Sequence, residues 1–439
     1  MWPAFDKFVI GPTRRWARVF AKFTFVQAMA QLVGVFAGIV VVRLLAKHDY
    51  ALYTIANSML WALVILSDGG ISASAAGIGG RAWQDTAHLG RTVATALSIR
   101  WKLCAILVTP VAAALAMLLL KNGAGPVTTA ALIAIVLAGA VISLGASVYI
   151  VVPRLLGNVR LLQIVVMSTA IARLGATLLL AAFGLTAETA MIAIAMSLGV
   201  EFWQVRRWAR RHIGLDSRTE IDRPVHDELM RVTRRQVPNA LYYIFQTQVS
   251  VWLLSVFGTY EHIANLGALT RISAVYLALS AAVDGLILPR FARCNEAERI
   301  WSLYLQIFFG LVALTVVPVL VVWAAPQPFL WILGPKYAGL STELLLAMLS
   351  AFTGVLNSVT WGLNATRAWF LPVKVYVGLG LLVQLALLLA IGAATVREVL
   401  EMSILMNVAQ TAMNMAGTMV FIRNYRRAAA PAPAASGST

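Results

Sequence analysis

A chain of 439 residues that is 60% hydrophobic and 12% charged is not a soluble globular protein, because such proteins carry roughly 25% charged residues. Its formal charge of +17 would point to nucleic acid in a soluble chain. Lysine and arginine also collect on the cytoplasmic side of membrane proteins, and neither zinc spacing nor an aromatic-interleaved basic patch accompanies the charge, so nucleic acid is excluded as a partner.

Apolar runs of about 20 residues recur, each long enough to cross a bilayer as a helix. The alternating ~10-residue segments of a β-barrel are absent. The fold class is therefore an all-α polytopic membrane protein. In chain order, residues 1–19 form a mixed cytoplasmic segment with a Gly11-Pro12 break. Six spans follow at 20–46, 51–79, 91–120, 126–151, 160–184 and 186–206. A polar run with nine arginines separates them from six more at 237–258, 263–290, 300–325, 341–365, 370–394 and 398–423. This divides the chain into an N-terminal six-helix half (20–206), a cytoplasmic connector (207–236), a C-terminal six-helix half (237–424) and an Ala/Pro/Ser-rich disordered tail (425–439).

Charge checks the topology. With the N-terminus inside, the inner segments hold 28 lysines and arginines and the outer ends 5, with Arg173 and Arg271 left mid-span. That asymmetry is a strong positive-inside signal, and it predicts both termini in the cytoplasm of a multi-pass protein. No extramembrane domain is expected on either side, because the outer connections are short. Cys104 falls in a span and Cys294 in a basic loop, a placement that argues against a disulfide. No cleavable signal peptide is expected.

Ionisable groups inside a span cost about 2.5–3.5 kcal/mol on insertion scales, so they face a cavity or a partner. Arg271 lies about eight residues into the eighth span and is the leading candidate for an anion-binding group. Asp284 is thirteen residues further on, too far along a straight helix to pair with it. Arg173 in the fifth span either binds the same anion or pairs with Glu201 or Asp68. Lys22 and Arg43 bracket the first span and either bind substrate or snorkel to the interfaces. Asp68, Glu201 and Asp284 lie near inner span ends, as candidates for ion coupling or structural pairing.

Uncharged polar residues extend the set. In the seventh span Asn239, Tyr242, Tyr243 and Gln246 are spaced to share one face. Gln27 and Gln31 lie in the first span, Asn57 in the second, and Asn357, Trp361 and Asn364 in the tenth. Amides and aromatic rings suit sugar hydroxyls; hydrogen bonding between helices is the competing reading. Gly34 and Gly38 form a small-xxx-small face, read as helix packing. Phosphate loops, metal-ligand spacings and nucleophile elbows are all missing, so a transporter without cofactor or metal is expected rather than an enzyme.

Four stretches carry a family resemblance that spans nearly the whole chain. Val42-Arg43-Leu44-Leu45-Ala46-Lys47-His48-Asp49-Tyr50-Ala51-Leu52-Tyr53 follows the first span, and Ser67-Asp68-Gly69-Gly70-Ile71-Ser72 ends the second. Leu288-Pro289-Arg290 ends the eighth, and Leu333-Gly334-Pro335-Lys336-Tyr337 follows the ninth. In order and spacing they resemble the polysaccharide-transporter (Wzx-like) branch of the MOP flippase superfamily. The resemblance implies a MOP/MATE-like, V-shaped alternating-access transporter of twelve helices in a bacterial inner membrane. It implies transfer of a polyprenyl-diphosphate-linked oligosaccharide to the outer leaflet, among membrane lipids, with H+ or Na+ as a coupling ion and a polysaccharide polymerase and export machinery as partners. One departure bears on coupling: the acid common in the family's seventh span is missing from Val249-Ser250-Val251-Trp252-Leu253-Leu254-Ser255. A multidrug or small-solute antiporter of the same superfamily and a non-transporting scaffold of a polysaccharide assembly complex are the alternatives.

Overall fold

The structure, a computed structural model, describes residues 13–81, 84–213, 222–292, 297–367, 369 and 371–429. The start of the N-terminal segment, the middle of the connector, Cys294 and the end of the tail lie outside these residues. The described chain is helical and forms two compact units, which divide after Arg271.

The first unit contains α1 (Thr13–Leu44), α2 (Lys47–Asp68), α3 (Ile71–Arg81), α4 (Thr86–Lys121), α5 (Pro126–Tyr149), α6 (Val151–Leu155), α7 (Val159–Ala181), α8 (Ala187–Ile213), α9 (Arg223–Phe257) and most of α10 (Tyr260–Ser273). α2 is the central helix: 78% of its apolar window is buried, against 28% or less in α1, α4, α7 and α9. It packs on α4, α5, α8 and α9, while α1 lies along α7 and α5 along α8. Two left-handed glycines, Gly69 at φ 47° and Gly70 at φ 85°, end α2 and turn the chain into α3. A Cβ at Gly69 would stand 3.3 Å from Thr233 Cγ2, so α9 also needs glycine there.

At the polar end of this unit the helices continue past their apolar stretches. The first turns of α4 and α9 and the last turns of α8 enclose Leu89, Val93, Ala209, Ile213, Val225 and Leu229 in a shared core. Gly90 lets the Ile213 carbonyl approach, since a Cβ there would sit 2.9 Å from it. Asp85 caps α4, and the N–H groups of His88 and Ala87 hold its carboxyl below the usual carboxylate range. A small helical cap is built from extensions of the spans. Residues 207–213 and 223–236, expected as connector, continue α8 and α9.

The second unit contains α11 (Val275–Leu286), α12 (Leu288–Ala292), α13 (Ala297–Ala324), α14 (Pro326–Leu333), α15 (Ser341–Ala365), α16 (Val373–Ile391) and α17 (Val396–Ala429). α15 packs along α17 and α13. A ladder of amides and hydroxyls joins the first pair. Asn357 Nδ2 donates to Gln410 Oε1 at 2.6 Å, and Asn414 Nδ2 donates to Asn357 Oδ1 at 3.1 Å. Thr418 Oγ1 donates to Asn364 Oδ1 at 2.6 Å, and Asn364 Nδ2 to the Asn414 carbonyl at 3.0 Å. Asn357 and Asn364 are therefore interhelical links, the competing reading of the sequence. Asn414→Leu should lower stability by between about 0.6 kcal/mol, the average measured for such bonds in membranes, and about 1.7 kcal/mol, the maximum, as a lower midpoint in detergent thermal unfolding.

Nine helices among the described residues are long and apolar enough to cross a membrane. Three predicted spans do not meet that criterion. The eighth breaks at Ala274 into α10 and α11, each under eighteen residues. The sixth and twelfth, α8 and α17, are long but more polar: α8 carries Glu188, Glu201 and Gln204 in its apolar part, and α17 the amides of its ladder. The chain is a multi-pass membrane protein.

Candidate functional site

The site is built on α2. Tyr50 and Tyr53 follow the turn that ends α1, are fully buried, and stack with ring centroids 5.7 Å apart at 26°. Tyr50 accepts from Arg271, and Tyr53 accepts from both Arg173 and Arg271. Arg271 Nε of α10 donates to Tyr50 Oη at 3.4 Å, and Arg173 Nη2 of α7 donates to Tyr53 Oη at 3.2 Å. The two mid-span arginines of the sequence are thus held on one tyrosine pair, within the first unit.

Two glycines make this approach feasible. A Cβ at Gly267 would lie 2.7 Å from Thr54 Oγ1 and 3.1 Å from Tyr50 Cε1, so α10 meets α2 backbone-close one turn before Arg271. A Cβ at Gly38 would meet Arg271 Cδ at 3.1 Å and Nε at 3.3 Å, whereas Gly34 has nothing within 4 Å. Gly38 is therefore a notch in α1 for the arginine stem, more than half of a packing motif. Gly38→Ala should displace the guanidinium by a few tenths of an ångström and lower transport while leaving folding intact. Equal transport at equal expression would contradict the notch.

Both arginines are half-buried as whole residues, and neither has a carboxylate partner among the described residues. A guanidinium carries five N–H donors in a planar fork, so most of this hydrogen-bonding capacity is left for an anion. A phosphate oxygen pair matches the fork bidentately. Asn57 stands one turn beyond Tyr53, half-buried on the same side of α2. Gln27 and Gln31 precede Gly38 at helical spacing on α1.

The other candidates divide. Tyr242 is buried, and Gln246 has a buried Nε2 with no protein partner, whereas Asn239 and Tyr243 are exposed. The seventh-span face is therefore two faces. Arg43 lies exposed in the last turn of α1. Lys22 falls within α1 and Asp284 within α11, but their side chains lie outside the described residues. Glu201 is half-buried on α8, within electrostatic reach of Arg154.

Asp68 is engaged in structure. Its Oδ1 lies 3.2 Å from Arg100 Nη2 and accepts from Ser72 Oγ at 2.6 Å. Arg100, on α4, is 1% exposed and also donates to the Leu144 carbonyl at 3.2 Å and to Ser147 Oγ. This network ties the α2–α3 turn to α4 and α5. The buried Arg100, counted in the sequence among the inner basic residues, was missed as a core group. Tyr50 and Tyr53 were missed as site residues, although their i, i+3 spacing after the first turn was visible. No group of three His, Cys, Asp or Glu side chains that could hold a metal occurs among the described residues.

No protein-family model and no curated protein matches the sequence. Solved structures do match its fold. An inward-facing multidrug resistance MATE family transporter of the MOP superfamily superposes with a TM-score of 0.72 at 14% identity, over 93% of this chain and 100% of that one. A MATE structure in the bent conformation matches at 0.61 and 16% identity, over 94% and 96% of the two chains. A MOP superfamily transporter from Pyrococcus furiosus, described as having a binding pocket of reverse polarity that suggests a different function, matches at 0.58 and 16% identity, over 91% and 94%. The chain has the MATE-type fold of MOP superfamily transporters.

Proposed function

We propose that this chain is a flippase that carries a polyprenyl-diphosphate-linked oligosaccharide from the cytoplasmic to the periplasmic leaflet for polysaccharide biosynthesis. The observation that carries the reading is the pair Arg173 and Arg271, the first mid-helix in α7 and the second in the last turn of α10, both anchored on tyrosines instead of carboxylates. A cation exporter needs acids where this chain places cations. A diphosphate has the complementary charge, and its oxygens fit two guanidinium forks. Amides such as Asn57 and Gln246 would meet sugar hydroxyls, with the lipid tail remaining in the bilayer.

The rest of the reading follows from the fold. Twelve helices in two six-helix halves would rock in alternating access, with both termini in the cytoplasm of a bacterial inner membrane. Lys22 and Arg43 would bind substrate on its way in or out. Glu201 and Asp284 are the carboxylates of the three left for H+ or Na+ coupling, because Asp68 is paired with Arg100. A polymerase would consume the product.

The likeness to multidrug MATE transporters favours a second reading, an ion-coupled multidrug or small-solute antiporter. Deletion of the gene separates the two. The flippase reading expects lipid-linked oligosaccharide to accumulate, with drug sensitivity unchanged; drug sensitisation with normal polymer would favour the antiporter.

A further inference from the structure

α8 leaves the apolar part of the first unit along one exposed stripe. Ile192, Met196 and Trp203 are large exposed apolar residues at helical spacing. Arg207, Arg210 and Arg211 continue the stripe four, seven and eight residues beyond Trp203 and are exposed too. The opposite face, Val205, Ala209 and Ile213, is buried in the cap core, so the stripe cannot turn inward. Trp203 is 58% exposed, and the Arg207 guanidinium lies over its ring, 5.1 Å from the centroid. A tryptophan on a lipid-facing stripe sits at headgroup level. At 1.5 Å per residue, Arg207 to Arg211 lie roughly 6–12 Å further along the helix, and helical side chains lean back toward the N-terminus, which carries their long stems toward the headgroup phosphates.

The charge of this stripe is uncompensated. No acid occurs between Trp203 and Ile213, and none of Arg206, Arg207, Arg210 and Arg211 pairs with a carboxylate among the described residues. The neighbouring basic end of α9 differs. There Glu228 pairs with Arg81 at 2.6 Å and Asp222 with Arg91 at 3.7 Å. The cap thus uses the acids of α9 to hold itself together and leaves the α8 arginines free.

We propose that Trp203, Arg207, Arg210 and Arg211 form a docking stripe for anionic phospholipid headgroups in the leaflet at this end of the bundle. The guanidinium forks take the headgroup phosphate, the indole sets the depth, and the apolar stripe below receives the acyl chains. The stripe is separate from the arginine–tyrosine site on α2 and stands whether or not the transport reading does.

Native mass spectrometry of the full chain, released from detergent with equal phosphatidylglycerol and phosphatidylcholine, tests this. The wild type should retain phosphatidylglycerol preferentially. R207A/R210A/R211A should lose about 100-fold of that preference, from roughly five-fold per basic residue at an anionic surface. R207K/R210K/R211K should fall between the two, keeping the charge but not the bidentate fork, and guards against misfolding of the alanine variant. R231A/R234A on α9 should be unchanged. Loss in the α9 variant equal to that in the α8 variant would mean diffuse charge and would overturn the proposal. So would displacement of the lipid by inorganic phosphate at equal concentration, or stronger binding of an acidic peptide than of phosphatidylglycerol.

Discussion

Asp68→Ala should lower the stability of the chain by about 3 kcal/mol, the lower end of the 3–5 kcal/mol seen when one partner of a buried ion pair is removed. The lower end applies because the Asp68 side chain keeps 25% of its exposure while Arg100 keeps 1%. The loss comes from Arg100, which would remain charged inside the bundle with Nε already without a hydrogen-bond partner and Nη2, held only by its ion pair with Asp68, newly abandoned. Converting Arg100 to methionine in the same chain should restore most of the stability, because a well-packed apolar pair is often as stable as a buried ion pair. Thermal unfolding of the single and double variants in one detergent checks both results. A double variant as unstable as Asp68→Ala would mean that Asp68 does something other than neutralise Arg100.

This network shows how far the sequence could be read. Asp68 was legible as a near-interface acid, but its partner was not. Arg100 sits in a stretch with Arg91 and Lys102, where a topological role explains any basic residue. Only packing reveals that α4 rotates it inward against Ser72, Leu144 and Ser147. Arg271 and Arg173 were legible because nothing in their apolar surroundings explains a cation. Tyr50 and Tyr53 were not, because a tyrosine near a span end is ordinarily an interface anchor. The amides of α15 suited sugars and helix contacts equally, and the ladder to α17 decides for contacts. The eighth span read as one continuous helix because its break at Ala274 contains neither proline nor glycine.

Arg271→Ala should abolish transport while the protein still folds and inserts, and Arg173→Ala should reduce it strongly. Both arginines rest on tyrosines, so their removal leaves no buried carboxylate unpaired and costs little stability. That separates them from Asp68, whose loss should be seen in folding first. Lysine at either position should recover only part of the activity, since an ammonium is a point charge that cannot grip a phosphate bidentately. Tyr53→Phe should weaken transport less than either arginine change, because the phenol positions a guanidinium and does not neutralise it.

We propose that a diphosphate is held on Arg271 and Arg173. The most direct test is reconstitution of the purified chain in liposomes loaded on one leaflet with a long-chain prenyl-diphosphate oligosaccharide, with transfer followed by lectin accessibility. The wild type should move the lipid to the other leaflet, and the Arg173→Ala/Arg271→Ala variant should leave it in place. Transfer by the double variant at the wild-type rate, or efflux of an organic cation in place of the lipid, would contradict the account.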